Sequence, residues 1–192
     1  MGQVLYRWDL RCLYEKLIDD PQELDWFLKN VVTPEWHFQQ DAGRPLAEMV
    51  PERIAQFPEY ETQIVAYAER FVESIPGPVE GSHELVQKLS DRDIPIYGIT
   101  NFGAEFWQAF LPTAPIFALF EDVVVSGEEK MLKPDPAIYQ LALERFDVTA
   151  GQCLFVDDRQ ENVAAGEALG IKGHQFRDAI ALENELAMLG LL

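Results

Sequence analysis

Side chains that could bind a phosphate group and a metal ion follow three apolar segments in the C-terminal part of the chain. Thr100 and Asn101 follow the first segment, Lys133 lies beyond the second, and Asp157 and Asp158 end the third. Carboxylates bind a hard cation such as Mg²⁺, whereas a lysine and a hydroxyl can contact phosphoryl oxygens. Together, these residue types indicate a site for Mg²⁺ and a phosphate ester.

Each of these groups also has a purely structural explanation when it is considered alone. Thr100-Asn101 could be a turn or a helix cap, Lys133 could be a solvated lysine before a helix, and Asp157-Asp158 could be a capping loop. Their shared position favours the functional interpretation, because ligands of open parallel sheets bind beyond the carboxyl ends of the strands. All three groups follow an apolar run and precede a helical pattern.

The apolar runs and the segments between them predict alternating strands and helices. Short apolar runs bounded by Gly, Pro or Asp are typical of buried strands, and apolar residues at helical spacing are typical of amphipathic helices. The predicted strands cover residues 94–100, 122–126, 153–157 and 171–176. The predicted helices cover residues 83–90, 135–146 and 160–169, the first of them before the first strand. Strands that alternate with helices form βαβ units, so we expect an α/β fold with a doubly wound parallel sheet.

The N-terminal part of the chain has helical periods without a convincing strand. Residues 45–57 and 61–73 carry apolar side chains at helix spacing, and several prolines stand where helices could begin. We therefore expect residues 9–75 to form an all-helical unit of four or five helices. This unit is inserted between residues 1–8 and 76–192, and the Pro/Gly-rich segment 75–81 is the expected hinge.

Composition excludes several classes of protein. The chain has 192 residues, of which 48% are hydrophobic, and its formal net charge is −18. A field of this sign repels the phosphate backbone of nucleic acids and anionic lipid. No apolar run approaches the ~20 residues that span a bilayer, and the two cysteines offer neither a disulfide framework nor zinc spacing. We expect a cytoplasmic protein that acts on a small molecule and binds neither nucleic acid nor membrane, with its oligomeric state left open.

The motifs resemble those of the haloacid dehalogenase-like (HAD) hydrolase superfamily, in the branch with a helical cap. Thr100-Asn101 is similar to the second motif of that superfamily and Lys133 to the third. Val156-Asp157-Asp158, with Asn162 four residues later, is similar to the fourth. The resemblance implies a Rossmann-like core with an inserted cap, and residues 9–75 fall where that branch carries its cap.

The resemblance also implies a reaction and a role for each residue. In this family an aspartate attacks a phosphomonoester or an alkyl halide and forms a covalent intermediate. Water then hydrolyses that intermediate and frees the aspartate. Mg²⁺ would be held by Asp158, assisted by Asp157, and by the nucleophilic aspartate of the family. Lys133 would neutralise the phosphoryl charge and orient that nucleophile. Thr100 and Asn101 would donate hydrogen bonds to phosphoryl oxygens. The implied role of Asn162 is to orient Lys133 or the carboxylates.

The start of the sequence departs from the family pattern. In relatives the first strand ends in the nucleophilic aspartate, which precedes a Gly-x-Val-Leu signature. Gly2-Gln3-Val4-Leu5 matches that signature, so Met1 falls one place past the nucleophile. We therefore expect the chain as printed to be inactive and the natural chain to extend upstream. Loss of a central strand would also leave unpaired backbone groups, each costing about 1–3 kcal/mol if buried.

Four further residues are candidates for substrate contact. Trp36, His37 and Gln39 lie in the predicted cap, where relatives place substrate-contacting residues, although packing of an amphipathic helix explains them equally well. Arg7 follows the Gly-x-Val-Leu segment near the expected pocket mouth, and a surface arginine is the alternative. The sequence gives His83 and His174 no role.

Two other functions remain open at this point. A 2-haloacid dehalogenase needs no metal, and relatives of that kind have a serine pair at the place of Asp157-Asp158 and an aspartate at the place of Asn162. The carboxylate pair therefore favours a phosphatase over a dehalogenase. The alternative outside catalysis is an inactive pseudo-hydrolase that binds a phosphorylated ligand or a protein partner through the cap.

Overall fold

The computed structural model describes residues 2–192 and has an α/β fold. Its strands are β1 (Tyr6–Arg7), β2 (Gly77–Pro78), β3 (Tyr97–Thr100), β4 (Asp122–Val125), β5 (Leu154–Asp157) and β6 (Lys172–Gln175). β3 pairs in parallel with β4, and β5 pairs in parallel with β6. Helices connect the strands within each pair, as βαβ units require. The predicted fold class is confirmed.

The parallel strands form two separate ladders. Within residues 2–192, strand hydrogen bonds join β3 to β4 and β5 to β6, and none joins β3 to β5. The sequence prediction of one doubly wound sheet thus holds for the parallel βαβ units and not for a continuous ladder. The first predicted strand is also shorter than expected, because Pro95 has no N–H to donate and the strand begins only at Tyr97.

Three of the α-helices after β2 lie close to their predicted positions, namely α6 (Ser82–Ser90), α9 (Pro136–Arg145) and α10 (Gln160–Glu167). The other three were not predicted from the sequence, and they are α7 (Ala104–Phe110), α8 (Ser126–Glu129) and α11 (Ala179–Met188). Local sequence explains where α9 and α11 begin. The Asp135 carboxylate accepts the backbone N–H of Ala137 with Pro136 in the first turn, and Asp178 accepts the N–H of Ala181.

Residues between β1 and β2 are helical. They form α1 (Arg11–Tyr14), α2 (Pro21–Asn30), α3 (Pro34–Asp41), α4 (Leu46–Gln56) and α5 (Glu61–Glu69). The helix predicted over 61–73 ends at Glu69, and a 3₁₀ turn follows over Phe71–Ser74. A capping side chain marks the start of α3, where the Thr33 hydroxyl oxygen accepts the backbone N–H of Trp36.

The helical unit has its own apolar core. Buried side chains from all five helices form one cluster, which includes Leu13, Phe27, Trp36, Met49, Ile64 and Tyr67. The chain enters and leaves this unit side by side, because β1 pairs antiparallel with β2 through Tyr6 opposite Pro78 and Arg7 opposite Gly77. The boundaries 9–75 and 76–192 stay a prediction. In the described part of the chain, no helix has the length and apolar character needed to cross a membrane.

Candidate active site

Lys133 and Asp157 form a buried ion pair beyond the ends of β3 and β5. Lys133 Nζ lies 2.6 Å from Asp157 Oδ2, and the two side chains are only 4% and 2% exposed. The same ammonium donates to the backbone carbonyl oxygen of Ile99, 2.9 Å away. The tertiary structure thus brings together two charges that lie 24 residues apart in sequence.

The second oxygen of Asp157 is also occupied. Oδ1 accepts the side-chain amide of Asn162 at 2.8 Å and the backbone N–H of Arg159 at 3.0 Å. Asn162 is buried on α10, and its backbone carbonyl oxygen accepts a hydrogen bond from the Tyr139 hydroxyl. Asn162 therefore orients a carboxylate, which is one of the two roles that the family resemblance implies for it.

Asn101 holds the segment that carries Lys133. The Asn101 amide nitrogen donates to the Lys133 carbonyl oxygen at 2.9 Å, and the Asn101 side-chain oxygen accepts the Lys133 backbone N–H at 2.9 Å. In this arrangement the amide is committed to the backbone, whereas the sequence prediction directed it to phosphoryl oxygens. Thr100 is buried at the end of β3, and its hydroxyl has one long contact of 3.5 Å to the Asn101 carbonyl oxygen.

The two adjacent carboxylates differ in their surroundings. Burial alone would raise the pKa of Asp157, but the Lys133 ammonium and the Arg159 N–H lower it, and the net direction is downward. The pKa of Asp158 is raised, first by burial and then by the negative charge of Asp157. Asp158 is half-buried and forms no ion pair with any cationic side chain of residues 2–192.

Asp158 is the side chain best suited to hold a cation here. Both oxygens of Asp157 already have hydrogen-bond partners, whereas Asp158 forms no ion pair with a cationic side chain of residues 2–192. No three His, Cys, Asp or Glu side chains converge anywhere in the described residues. A protein Mg²⁺ site commonly uses one or two carboxylates, with water and substrate phosphate completing the coordination. Asp158 fits that pattern, and Asp157 acts as the partner of Lys133 instead of a free second ligand.

The candidate substrate residues of the helical unit lie in different environments. Trp36 and His37 are 3% and 6% exposed and pack inside the unit. The His37 ring stacks on Trp8, and the Arg53 guanidinium lies over the Trp36 ring. Trp36 and His37 pack against other side chains in the apolar core of the helical unit. The structure describes no contact of either residue with Lys133 or Asp158.

Gln39 and Arg7 are exposed. Gln39 accepts a hydrogen bond from Arg44, and Arg7 lies on β1. Neither has a described contact with the Lys133–Asp157 pair. Their roles in substrate binding stay predictions, as do those of Trp36 and His37. The predicted nucleophile position precedes Met1 and lies outside the described residues.

Two residues with unusual environments were missed by the sequence prediction. Asp41 is buried four residues after His37, with its carboxylate 3.6 Å from His37 Nε2. Burial raises the pKa of Asp41 to about 7, while the Gly103 N–H acts in the opposite direction. Burial lowers the pKa of His37 to about 4. The i, i+4 spacing of a histidine and an aspartate on one helix was the available signal.

Arg159 is the second missed residue. It directly follows Asp158 and is exposed, and its guanidinium lies 6.0 Å from the ring of Phe38 on α3. The side chain thus reaches from the carboxylate pair towards the helical unit. A single arginine after Asp-Asp carries no periodic signal, so this placement could not be predicted from the sequence.

The residues that resemble the second, third and fourth motifs lie together at the carboxyl ends of the strands. The family model of haloacid dehalogenase-like hydrolases matches residues 15–170 of the chain. The chain belongs to this hydrolase family. The family predicted from Thr100, Lys133 and Asp158 is therefore confirmed.

Curated proteins to which this chain is similar include phosphatases. Sesquiterpene phosphatase astK of Aspergillus oryzae is 32% identical over 105 residues, which are 55% of this chain and 54% of that protein. Flavin mononucleotide hydrolase 1 of Arabidopsis thaliana is 29% identical over 114 residues, which are 59% of this chain and 46% of that protein. The chain spans about half the length of these two relatives.

Solved structures of the HAD hydrolase family share the fold. The HAD-hydrolase YfnB of Bacillus subtilis, bound to magnesium, has a TM-score of 0.73 at 18% identity and covers 97% of this chain and 96% of its own. The HAD family enzyme bt-2542 of Bacteroides thetaiotaomicron, in complex with magnesium and inorganic phosphate, has a TM-score of 0.69 at 22% identity. That alignment covers 93% of this chain and 91% of the enzyme. At these identities the likeness establishes the fold.

Proposed function

We propose that this HAD-family chain is a Mg²⁺-dependent phosphatase that acts on a small phosphate ester. The observation that carries the proposal is the buried Lys133–Asp157 pair beside the half-buried Asp158 carboxylate, which forms no ion pair with a cationic side chain of the described residues. This arrangement presents positive and negative groups side by side at the carboxyl ends of two parallel strands. A cation and a phosphoryl group need such complementary charges at one place.

Residues of the candidate site would have separate roles in this reaction. Asp158 would hold Mg²⁺, which when bound supplies positive charge to the phosphoryl oxygens. Lys133 would face the same oxygens, and its ammonium is already fixed by Asp157 and the Ile99 carbonyl oxygen. Groups fixed before the reaction need no reorganisation as charge shifts in the transition state. Asn162 and Asn101 would position Asp157 and Lys133.

The relatives support the substrate class. The proteins that this chain matches include a sesquiterpene phosphatase, a flavin mononucleotide hydrolase and phosphoglycolate phosphatases. Their names describe chemically different molecules, so they support hydrolysis of a phosphate ester and do not narrow its organic part. A strongly acidic chain with a net charge of −18 needs local positive charge for such an anionic substrate. Lys133 and Mg²⁺ would supply it.

The test compares binding with turnover. Hydrolysis of p-nitrophenyl phosphate is measured with and without Mg²⁺, on the 192-residue chain and on a chain preceded by a strand ending in Phe-Asp. The expected result is Mg²⁺-dependent turnover with the added nucleophile and binding of phosphate without turnover in its absence. A chain that binds neither Mg²⁺ nor inorganic phosphate in either form would refute the proposal.

Two alternatives give different results in the same assay. A 2-haloacid dehalogenase would release halide from a 2-haloacid without Mg²⁺, and the carboxylate pair 157–158 argues against it. An inactive pseudo-hydrolase would bind phosphate and stay inactive even with the added strand. The comparison therefore separates all three functions.

A further inference from the structure

Ser126 joins the helical unit to the loop that follows β3. Its side chain is fully buried at the start of α8. Its Oγ donates a hydrogen bond to the backbone carbonyl oxygen of Asp41, 2.6 Å away at the end of α3. The same oxygen accepts the backbone N–H of Phe102 at 2.9 Å. We call Asp41, Phe102 and Ser126 the Ser126 bridge.

Close backbone packing surrounds the Ser126 bridge. A Cβ atom built on Gly103 would lie 1.2 Å from the Gln40 side-chain oxygen, so only glycine leaves room for Gln40 there. A Cβ atom on Gly43 would lie 2.8 Å from the Gly127 carbonyl oxygen. Glycine is the residue that permits such approaches. The end of α3 and the loop after β3 therefore move together or lose these contacts.

The Ser126 bridge is connected to the Lys133–Asp157 pair by the chain from Phe102 to Asn101 and then by hydrogen bonds. Phe102 is the next residue after Asn101, whose amide exchanges two hydrogen bonds with the backbone of Lys133. Lys133 then donates to Asp157. A displacement of Phe102 would therefore also move Asn101, and with it the Lys133 backbone that Asn101 holds.

We propose that Ser126 is a positioning residue that orients Asn101 and Lys133 and couples them to the docking of α3. Removal of the hydroxyl leaves the Phe102 N–H and the Asp41 carbonyl oxygen without this partner in a buried place. Buried unpaired groups are costly, so the loop would shift until they find other partners. The part of this inference that concerns phosphate binding rests on the proposed function, and the part that concerns the loop does not.

The first test measures amide hydrogen exchange by NMR in Ser126→Ala. Exchange at the Phe102 and Lys133 backbone amides should become faster by up to about tenfold, since loss of one hydrogen bond is worth up to roughly that factor. Ser74→Ala is the matched control. Ser74 is equally buried, and its Oγ donates to the Phe71 carbonyl oxygen at 2.6 Å inside the helical unit. That control should leave both amides unchanged.

The second test titrates inorganic phosphate in the presence of Mg²⁺. Ser126→Ala should bind phosphate about tenfold more weakly, by the same hydrogen-bond reasoning, and Ser74→Ala should stay within about twofold of the original chain. Ser126→Thr, which keeps the hydroxyl, should recover most of the affinity. If Ser126→Ala does not fold, Ser126→Cys is measured instead, because its weak S–H donor should give the same changes at a smaller size.

The outcomes separate this inference from the proposed function. Unchanged exchange at Lys133 in Ser126→Ala or Ser126→Cys would overturn the positioning role. If the original chain binds phosphate, an affinity of Ser126→Ala equal to that of Ser74→Ala would do the same. If neither the original chain nor the chain with the added strand binds Mg²⁺ or phosphate while Lys133 exchange still responds to Ser126, the phosphatase proposal fails and the role of Ser126 in placing the loop stands.

Discussion

Lys133 and Asp157 are joined by a 2.6 Å contact between Nζ and Oδ2 in a place that solvent barely reaches. Neither charge could stay there alone, because an unpaired charge in a buried position is strongly destabilising. The pair is therefore part of the stability of the fold as well as part of the candidate site. The first prediction tests this double role.

Lys133→Met should lower the free energy of unfolding by about 3–5 kcal/mol, because it leaves the Asp157 carboxylate buried without its ammonium. The double variant Lys133→Met/Asp157→Asn should recover much of the loss. Lys88→Met is the control, since Lys88 forms an exposed pair with Glu183 and should lose only about 0–1 kcal/mol. Urea denaturation measures all three. Equal losses for Lys133→Met and Lys88→Met would contradict burial of the pair.

Mg²⁺ affinity should depend more on Asp158 than on Asp157. Asp158→Asn removes the carboxylate that forms no ion pair with a side chain of residues 2–192, whereas both oxygens of Asp157 already accept hydrogen bonds. Calorimetric titration of Mg²⁺ in the presence of inorganic phosphate measures the difference, and circular dichroism checks that each variant is folded. Glu161→Gln, a nearby exposed acid, is the control for the lost charge. A larger loss for Asp157→Asn would reverse the assignment.

His37 and Asp41 should change the stability with opposite dependence on pH. The pKa of Asp41 is raised from 3.8 to about 7, so the folded state holds this proton more tightly and its stabilising effect is lost as pH rises from about 4 to 7. The pKa of His37 is lowered from 6.5 to about 4, so the folded state excludes this proton and stability is lost as pH falls over that interval.

Two variants separate these effects. Relative to the original chain, Asp41→Asn should gain stability as pH rises from about 4 to 7, and His37→Gln should gain stability as pH falls from about 6.5 to 4. Urea denaturation at several pH values measures both differences. Asp19→Asn, at an exposed position, should show neither trend. Parallel slopes for Asp41→Asn and His37→Gln would contradict this assignment.

Gly43→Ala should be more destabilising than Gly190→Ala, although both glycines have positive φ values, +89° and +72°. The strain of a left-handed alanine, roughly 1–2 kcal/mol, is common to both. At Gly43 the added Cβ atom also meets the Gly127 carbonyl oxygen, whereas at Gly190 it meets nothing within 4 Å. Overpacking adds about 1–3 kcal/mol. Thermal unfolding of the two variants provides the comparison, and equal losses would exclude close packing of α3 on α8.

Local sequence was sufficient to predict the positions of most strands and helices of the α/β part. Apolar runs bounded by Gly and Pro placed β3 to β6 within a few residues, because strand length and helix starts depend on nearby residues such as Pro95 and Asp135. The order of strands and helices was sufficient for the parallel pairing. The family was also predictable, since Thr100, Lys133 and Asp158 each follow a strand and their order along the chain is specific.

The sequence by itself determined which residues would end near the carboxyl edge of the strands. Only the tertiary structure decided how these residues pair. Asp157 pairs with Lys133, and Asn101 holds the Lys133 backbone. Asp158 forms no ion pair with a side chain in the described part of the chain, although the two aspartates look alike in sequence. The buried hydrogen bond from Ser126 to the Asp41 backbone carbonyl oxygen was equally beyond sequence reasoning. Such contacts depend on the packing of segments far apart along the chain, and burial and electrostatics act through distances in space that sequence spacing does not fix.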